Sequence, residues 1–572
     1  MHSFKNIIQK SWDNVQYRLN NGIDALTNLS EKFLMQDKKF RTYSLIAFVP
    51  VIYFIYRVLK WTIKAVLPTK VYVRDFQVFQ TADATWKHSN SKMLREAQKL
   101  DFSASSLNFM RKVSKHNGIG SEVAVPHAVF TSQHTLEDAR VESKAVIFPT
   151  IKELLEKTGI QASQIDVLVT TCALFVPLPS LSAMIVNEFK MKKDIHSFSL
   201  GGMGCSASPI GVDIVNSFLQ NKNLKYALLI STENISQNYY VGNDASMLLP
   251  NTLFAAGCAA VLLTNVNYKC KYLLKEIVRT HIGADDNAHK CIYKCTDQDG
   301  VPGVRLEKSI INNASKAMLN NTTRLFSRIL PVSIKIDYIW QIIKTYLKWI
   351  IKTKIQKIST TYPKYEIPKI NKAIDNFCFH TGGRGVLDAM QAQFNLSDAQ
   401  IAASRASLFM YGNTSSASIW YELAYHEQTN SVKKNNTVWQ VAFGSGFKCN
   451  SLVLKALQTI NCNKTIFDRY NPDFVFDPEV LKKVLVDDEQ MNTDYELVVA
   501  KNLKVKEDKE YEEAKKKFMS RFIAESGASI KQLQEWTRQF PETILIDFVN
   551  RFGYDLVTKS EVKIYLLAQL QE

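Results

Sequence analysis

Apolar and polar positions along this chain alternate between short buried-strand runs and helical spacing. Ile165–Thr170, Ile195–Leu200, Tyr226–Ser231, Ala259–Leu263 and Thr437–Phe443 are compact apolar runs of strand length, and the stretches 181–190 and 206–220 between them repeat at helical spacing. Strands that alternate with helices predict an α/β fold, with sheet faces covered by helices. No internal repeat is evident. A different pattern occupies 335–357: Ile336, Ile339, Trp340, Ile343, Tyr346, Leu347, Ile350 and Ile351 share one helical face, and Lys344, Lys348 and Lys352 form a stripe on another. Such a helix suits a headgroup boundary, with Ile339, Trp340, Ile343, Leu347 and Ile350 in contact with lipid. A surface helix packed on its own domain would show the same spacing.

Near the front, Ser44 to Tyr56 are 13 residues without a charge, flanked by Lys38, Lys39 and Arg41 on one side and by Arg57, Lys60 and Lys64 on the other. Thirteen helical residues reach only about 20 Å, short of a ~30 Å hydrocarbon core. A spanning helix has to run from Ser44 to about Leu67, with Arg57 near its middle, so an anchor lying in one leaflet competes with full spanning. The same 44–67 stretch also allows a buried core helix. Beyond about 463 the chain mixes dense charge (Lys501 to Lys517) with amphipathic pieces such as Ile530–Phe540, the pattern of a separate, mainly helical or partly disordered extension.

Composition narrows the classes. The 572 residues are 46 % hydrophobic and 22 % charged, which excludes a disordered, collagen-like or polytopic membrane chain. The net charge of +17 divides unevenly, at +7 over 1–70, +14 over 71–463 and −4 over 464–572. Such basicity fits nucleic acid, anionic lipid or phosphorylated substrates as partners. No aromatic-interleaved binding motif accompanies the basic residues, which weighs against nucleic acid. Nine scattered cysteines are not a secreted disulfide framework and point to a reducing, cytosol-facing compartment. The first apolar run starts too far in for a cleavable signal peptide. His281, His289, Cys291 and Cys295 fit no common zinc spacing.

Glycine is scarce, 21 in 572 against a usual ~7 %, so its clusters mark backbone that needs it. Eight of the 21 fall in three groups. Ser199-Leu-Gly-Gly-Met-Gly-Cys205-Ser ends a strand and feeds a helix with Pro209 in its first turn. Cys205 there meets the positive end of a helix dipole, which lowers a thiol's pKa and favours the thiolate; a small buried residue beside a turn is the plainer reading. Phe377-Cys-Phe-His380-Thr-Gly-Gly-Arg-Gly puts His380 at a strand end. Ala442-Phe-Gly444-Ser445-Gly446-Phe ends another strand and can aim a backbone N–H at an oxyanion. Tyr411-Gly-Asn413-Thr-Ser-Ser-Ala-Ser-Ile-Trp420 is a loop feeding a helix. Cys, His and Asn on three such junctions form a plausible nucleophilic acyl-transfer set.

These strings, with Ser231-Thr-Glu-Asn, Gly242-Asn-Asp-Ala-Ser-Met-Leu, Gly283-Ala-Asp-Asp and Phe443-Gly-Ser-Gly-Phe-Lys-Cys-Asn-Ser, resemble the plant-type 3-ketoacyl-CoA synthases of very-long-chain fatty-acid elongation. The resemblance runs from about 70 to 457. It implies a thiolase-like five-layer αβαβα fold of two related halves, similar to type III polyketide synthases. It divides the chain into an anchor region (1–70), a half with Cys205 (71–265), a half with His380 and Asn413 (266–460) and an extension of unassigned role (461–572). It makes Cys205 the acyl-accepting nucleophile, His380 and Asn413 the donors to the malonyl thioester carbonyl, and the backbone N–H groups of Cys205 and Ser445 the oxyanion hole. The substrates implied are a long-chain acyl-CoA and malonyl-CoA, with no cofactor. A homodimer on the endoplasmic reticulum membrane is expected, with the catalytic domain facing the cytosol, in contact with lipid and with other elongation enzymes. A polyketide synthase-like enzyme and a non-catalytic scaffold are the alternatives. The chain departs from the family pattern at Cys258, where the family has glycine, in showing one N-terminal apolar span rather than two, and in its tail.

Overall fold

The computed structural model describes residues 68–462 apart from 101, 121–122, 132–133, 352–369 and 371–372. The expected anchor at 44–67, Lys352 and the extension beyond 462 lie outside the described residues. Val71 opens a compact unit.

Nine strands form its sheet: β1 (Tyr72–Val78), β2 (Val167–Thr171), β3 (His196–Leu200), β4 (Tyr226–Glu233), β5 (Gly257–Thr264), β6 (Tyr272–His281), β7 (Asn376–Phe379), β8 (Thr437–Gly444) and β9 (Lys448–Ala456). Their order is β7-β8-β9-β6-β1-β5-β4-β2-β3. The runs that read as continuous apolar stretches are the ones buried on both faces; every residue of β2 and β5 is buried. Each half of the sheet has a parallel outer part (β3, β2 and β4; β7 and β8) and antiparallel inner strands. The halves are expected as separate layers, yet their strands are hydrogen-bonded into one sheet. The joint is narrow: Tyr72 and Val73 of β1 pair with Leu273 and Tyr272 of β6. Residues 265–271 link β5 to β6.

Eight of the helices are α1 (Leu136–Thr158), α2 (Leu181–Glu188), α3 (Ala207–Phe218), α4 (Ile310–Ile329), α5 (Val332–Ile350), α6 (Arg384–Phe394), α7 (Asp398–Tyr411) and α8 (Ser418–Gln428). α3 packs on β2 and β4 and also on β8 and β9, while α8 packs on β7 and β8 and also on β1 and β5. These two helices are therefore the central layer between the sheet halves. α1 covers β5 and β1 from outside, and α4 covers β6 and β9. Two apolar cores follow from this stacking, one around α3 and α8 and one under the outer helices. Cys258 is fully buried in β5.

α5 stands apart. It occupies the amphipathic stretch expected at 335–357, and none of its described residues is buried. Ile334 in its first turn touches the core. Ile339 (55 % exposed), Trp340 (56 %), Ile343 (41 %) and Leu347 (51 %) face outward, and Ile350 is half-buried. Among the described residues no helix is long and apolar enough to cross a membrane.

Candidate active site

β3 runs into the first glycine group, and a one-turn 3-10 helix, Gly204–Ser206, leads into α3. Gly202 and Gly204 take φ of +67° and +65°, a region that favours glycine. Gly204 is needed for a second reason: a Cβ there would lie 2.5 Å from the backbone nitrogen of Ser445. The Cys205 turn and the β8–β9 turn thus interlock, although they are about 240 residues apart in sequence. The Ser445 carbonyl accepts a hydrogen bond from Lys448 Nζ at 2.5 Å, which ties this turn to β9.

Cys205 is half-buried as a residue and lines a cavity. Its acidity corrects the expectation from helix position. Burial pushes the thiol up to about 12, and the neighbouring Glu233 carboxylate adds to the rise; hydrogen bonds with Ser415 and with the backbone N–H of Cys205 oppose both without matching them. α3 begins only at Ala207, so Cys205 precedes the helix's first turn, and desolvation decides the outcome.

His380 directly follows β7, its backbone N–H bonded to the Val441 carbonyl at 2.9 Å. Nδ1 lies 2.7 Å from Ser418 Oγ in the first turn of α8. Burial holds the imidazole down at about 4, with a hydrogen bond to the Ser415 backbone acting in the opposite direction. The ring is therefore neutral near pH 7, and with Nδ1 engaged it can present Nε2 to a bound molecule.

Asn413 sits between α7 and α8. Gly412 before it has φ of +65°, and a Cβ on it would press on Ala255 Cβ at 3.1 Å. The backbone of Asn413 pairs with the chain opposite, N–H to Leu253 O at 2.9 Å and O from Ala255 N–H at 3.1 Å. Its Oδ1 accepts from the Ser415 N–H at 2.9 Å, which leaves the amide Nδ2 as the donor end. Cys205, His380, Asn413 and Ser445 all line one cavity of about 400 Å³, whose wall also includes Leu253, Phe254, Ile310, Phe443 and Phe447. The α5 residues Ile339, Trp340, Ile343, Leu347 and Ile350 are not part of it.

Two further residues of the site had no assigned role in the sequence reading. Glu233, at the end of β4, is buried and accepts from the Ala173 N–H (3.2 Å), the Leu174 N–H (3.0 Å), the Cys172 thiol (3.3 Å) and the Ser415 hydroxyl (2.9 Å). Burial raises its carboxyl, and these donors offset only part of the rise. Ser415 is also buried and takes φ of +54°. The signals were present as an acid closing an apolar strand and a serine-rich loop entry to a helix. A smaller apolar pocket, lined by Met93, Val129, Phe130, Tyr239 and others, shares Leu174, Glu233, Phe254 and Val304 with the main cavity.

This arrangement offers a sulfur nucleophile, a neutral imidazole, a carboxamide donor and backbone N–H groups around one largely apolar space. It suits acyl transfer with stabilised oxyanions.

Comparison with known proteins points the same way. Residues 63–347 match the family described as FAE1/Type III polyketide synthase-like protein, and 370–456 match the 3-Oxoacyl-[acyl-carrier-protein (ACP)] synthase III C terminal family. The chain is 41 % identical over 398 residues to 3-ketoacyl-CoA synthase 9 of Arabidopsis thaliana, covering 69 % of this chain and 76 % of that one. It is 38 % identical over 454 residues to 3-ketoacyl-CoA synthase 5 of the same plant, covering 77 % and 86 %. Among solved structures, a fungal type III polyketide synthase aligns at a TM-score of 0.53 with 15 % identity, over 68 % of this chain and 99 % of that one. PKS-I from the brown alga Ectocarpus siliculosus aligns at 0.52 with 18 % identity, over the same shares. The fold is a thiolase-like α/β fold with a mixed sheet.

Proposed function

We infer the reaction from the family: the chain belongs to the 3-ketoacyl-CoA synthases, and it is a condensing acyltransferase of fatty-acid elongation. It joins a long-chain acyl-CoA to malonyl-CoA and releases CO2 and CoA, giving a 3-oxoacyl-CoA. The observation that carries the assignment to this cavity is that Cys205, His380, Asn413 and Ser445 surround one apolar space.

In the sequence of events we propose, the Cys205 sulfur attacks the acyl-CoA thioester, the acyl group moves to Cys205, and CoA leaves as a thiol. The backbone N–H groups of Cys205 and Ser445 stabilise the oxyanion of that step. Malonyl-CoA then loses CO2, and its thioester carbonyl becomes an enolate oxygen that takes hydrogen bonds from His380 Nε2 and Asn413 Nδ2. The enolate carbon attacks the acyl thioester and Cys205 departs as a thiolate. Decarboxylation supplies the carbanion directly, so no base has to remove a carbon-bound proton and no cofactor is called for. A neutral imidazole and a fixed carboxamide in a water-poor site are suited to holding an enolate. The smaller apolar pocket adjoins this cavity at Leu174, Glu233, Phe254 and Val304.

We also place the enzyme on the endoplasmic reticulum membrane with its active site towards the cytosol. The outward apolar face of α5, with Lys335, Lys344 and Lys348 on the same helix, supports contact with anionic lipid. A homodimer is part of this reading. It is supported by β3, an edge strand of the sheet that is bonded only to β2 among the described strands and is largely exposed. Contact with other elongation enzymes belongs to the same proposal.

The test is product analysis with acyl-CoAs of graded length and labelled malonyl-CoA. One two-carbon extension is expected, abolished in Cys205→Ala. Several successive extensions would instead mark a polyketide synthase-like enzyme, and an equally active Cys205→Ala would remove the chemistry from this site. His380→Ala and Asn413→Ala are expected to lose decarboxylation while Cys205 is still acylated.

A further inference from the structure

The two N–H groups assigned to the oxyanion hole, those of Cys205 and Ser445, lie on turns that meet backbone to backbone. A Cβ on Gly204 would lie 2.5 Å from Ser445 N, and one on Gly444 would lie 2.9 Å from both Ser206 N and Met203 O. Such packing brings the turns together, but it does not aim an N–H. Glycine stands on either side of Ser445, and Gly446 takes φ of +106°, so the local chain leaves the Ser445 peptides free to swing. Donors stabilise an oxyanion well only when they are aimed before the charge develops. The turn therefore needs an anchor from outside itself.

β9 supplies that anchor. Lys448 and Asn450 are two positions apart on this strand and share one of its faces. Lys448 is half-buried, and its Nζ donates to the Ser445 carbonyl at 2.5 Å, a charge-assisted bond. Asn450 is buried. Its Nδ2 donates to the Ser206 carbonyl at 3.3 Å, and its Oδ1 accepts the Thr280 N–H of β6 at 3.3 Å. One side chain thus ends on each turn, at Ser445 itself and at the residue after Cys205. Ser445 is held from both directions: Gly444 before it is paired with Lys448 in the β8–β9 ladder, and its own carbonyl is held by the Lys448 ammonium. Neither Lys448 nor Asn450 is part of the cavity wall, so each acts through a peptide rather than on substrate.

We propose that Lys448 and Asn450 are positioning residues of the oxyanion hole: from one face of β9 they fix the carbonyls beside the two donor N–H groups. The inference deepens the condensation reading and rests on its assignment of those N–H groups. It separates three reactions of one cavity. When an ester or thioester acylates Cys205, the C–S bond forms as the carbonyl π pair moves to oxygen, and collapse of that oxyanion expels the phenolate or thiolate. Alkylation of the same sulfur by iodoacetamide forms a C–S bond and expels iodide without any oxyanion. Decarboxylation of malonyl-CoA places its charge on an oxygen held by His380 and Asn413. Only the first reaction depends on the β9 pair.

Lys448→Met keeps a long stem and removes the donor. Acylation of Cys205 by a fatty-acyl p-nitrophenyl ester and by a long-chain acyl-CoA, followed at that residue by peptide mass spectrometry, is expected to slow ~10-fold, the effect of losing one hydrogen bond to a charged group. Alkylation by iodoacetamide stays within about twofold of the wild type, and Cys205→Ala carrying Lys448→Met decarboxylates malonyl-CoA within about twofold of Cys205→Ala alone. Asn450→Ala gives the same pattern with a ~3-fold loss of acylation, because its bond is neutral and longer. A merely loosened fold would slow acylation and alkylation together. The proposal is overturned if Lys448→Met is acylated as fast as the wild type, or if acylation and alkylation fall by the same factor. Should Lys448→Met fail to fold, the same two rates in Asn450→Ala decide the matter. A wild-type enzyme that makes no 3-oxoacyl product would refute the condensation reading, and the ratio of ester acylation to alkylation would still decide the role of β9.

Discussion

α8 and α5 are both rich in Trp, Tyr and Ile, yet all 11 residues of α8 are buried and none of the 19 residues of α5 is. The difference lies in what their polar side chains do. On α8, Trp420 Nε1 donates to Ser208 Oγ of α3 at 2.7 Å, Glu422 accepts from Ser404 Oγ at 2.5 Å, and Glu427 takes Lys271 Nζ at 2.6 Å and Tyr272 Oη at 2.8 Å. These inward polar groups have designated partners, as burial favours, although Glu422 Oε1 is left without one. The polar positions of α5 include three lysines, Lys335, Lys344 and Lys348, whose long side chains can keep their charge in water. A helix buried on all sides is a fixed platform, and α8 holds Ser418 and, just before it, Asn413 and Ser415. A helix satisfied on one side alone has an apolar face left for something else.

The largest expected contrast is in stability. Trp420→Ala should cost ~3–5 kcal/mol, from the loss of a buried indole and its bond to Ser208. Trp340→Ala on α5 should stay within about 0.5 kcal/mol. Urea unfolding of the two variants measures both, and equal costs would end the distinction between the helices.

Acid should act on the α8 side. Burial holds His380 and His426 at about 4, against ~6.5 in an unfolded chain. Between those values the unfolded state binds protons that the native state refuses, so stability is complete above about pH 6.5 and falls as pH drops towards 4. Each histidine contributes up to ~3 kcal/mol of this loss at the acid end. Unfolding midpoints measured at several pH values should show the slope, and His426→Gln should reduce it.

A smaller effect is expected from Ser418→Ala, which removes the partner of His380 Nδ1. Condensation should slow ~5- to 10-fold, the worth of about one hydrogen bond, with the thermal midpoint little changed. An unaltered kcat would mean that the ring is oriented without α8.

The smallest effect on stability belongs to α5. Lys344→Glu with Lys348→Glu should leave unfolding within about 0.5 kcal/mol, because both ammonium groups are exposed. Co-sedimentation with anionic vesicles should nevertheless weaken at least tenfold, at ~1 kcal/mol for each lysine near a charged surface. Unchanged sedimentation would detach α5 from the lipid reading.

Much of the scaffold was legible where a run was long and apolar. Tyr226–Ser231 extends by two residues in β4, and Thr437–Phe443 by one in β8. The stretch 206–220 becomes Ala207–Phe218, because Cys205 and Ser206 lie in the tighter turn before it. α1 carried no such signal: Pro149 sits inside its 23 residues, and its apolar positions are not confined to one stripe. The glycine clusters led to Cys205, His380 and Ser445 for a reason the chain order hides. Gly204 has to be small because Ser445 presses on it, and that contact exists only after folding. Glu233 and Ser415 were not legible as a pair because they stand 182 residues apart. An acid at a strand end and a serine before a helix are each ordinary until burial joins them.

The residues of the cavity are divided by the turn at 265–271. Cys205 and Glu233 precede it, and His380, Asn413 and Ser445 follow it. Sheet bonding across the division amounts to Tyr72 and Val73 with their two partners, so most of the cohesion comes from α3 and α8, each clasped by strands of both halves. A chain cut within that turn would yield two pieces, neither with a complete set of reacting groups. Any turnover by the mixture would report their meeting, and dilution would silence it long before either piece lost its own strands.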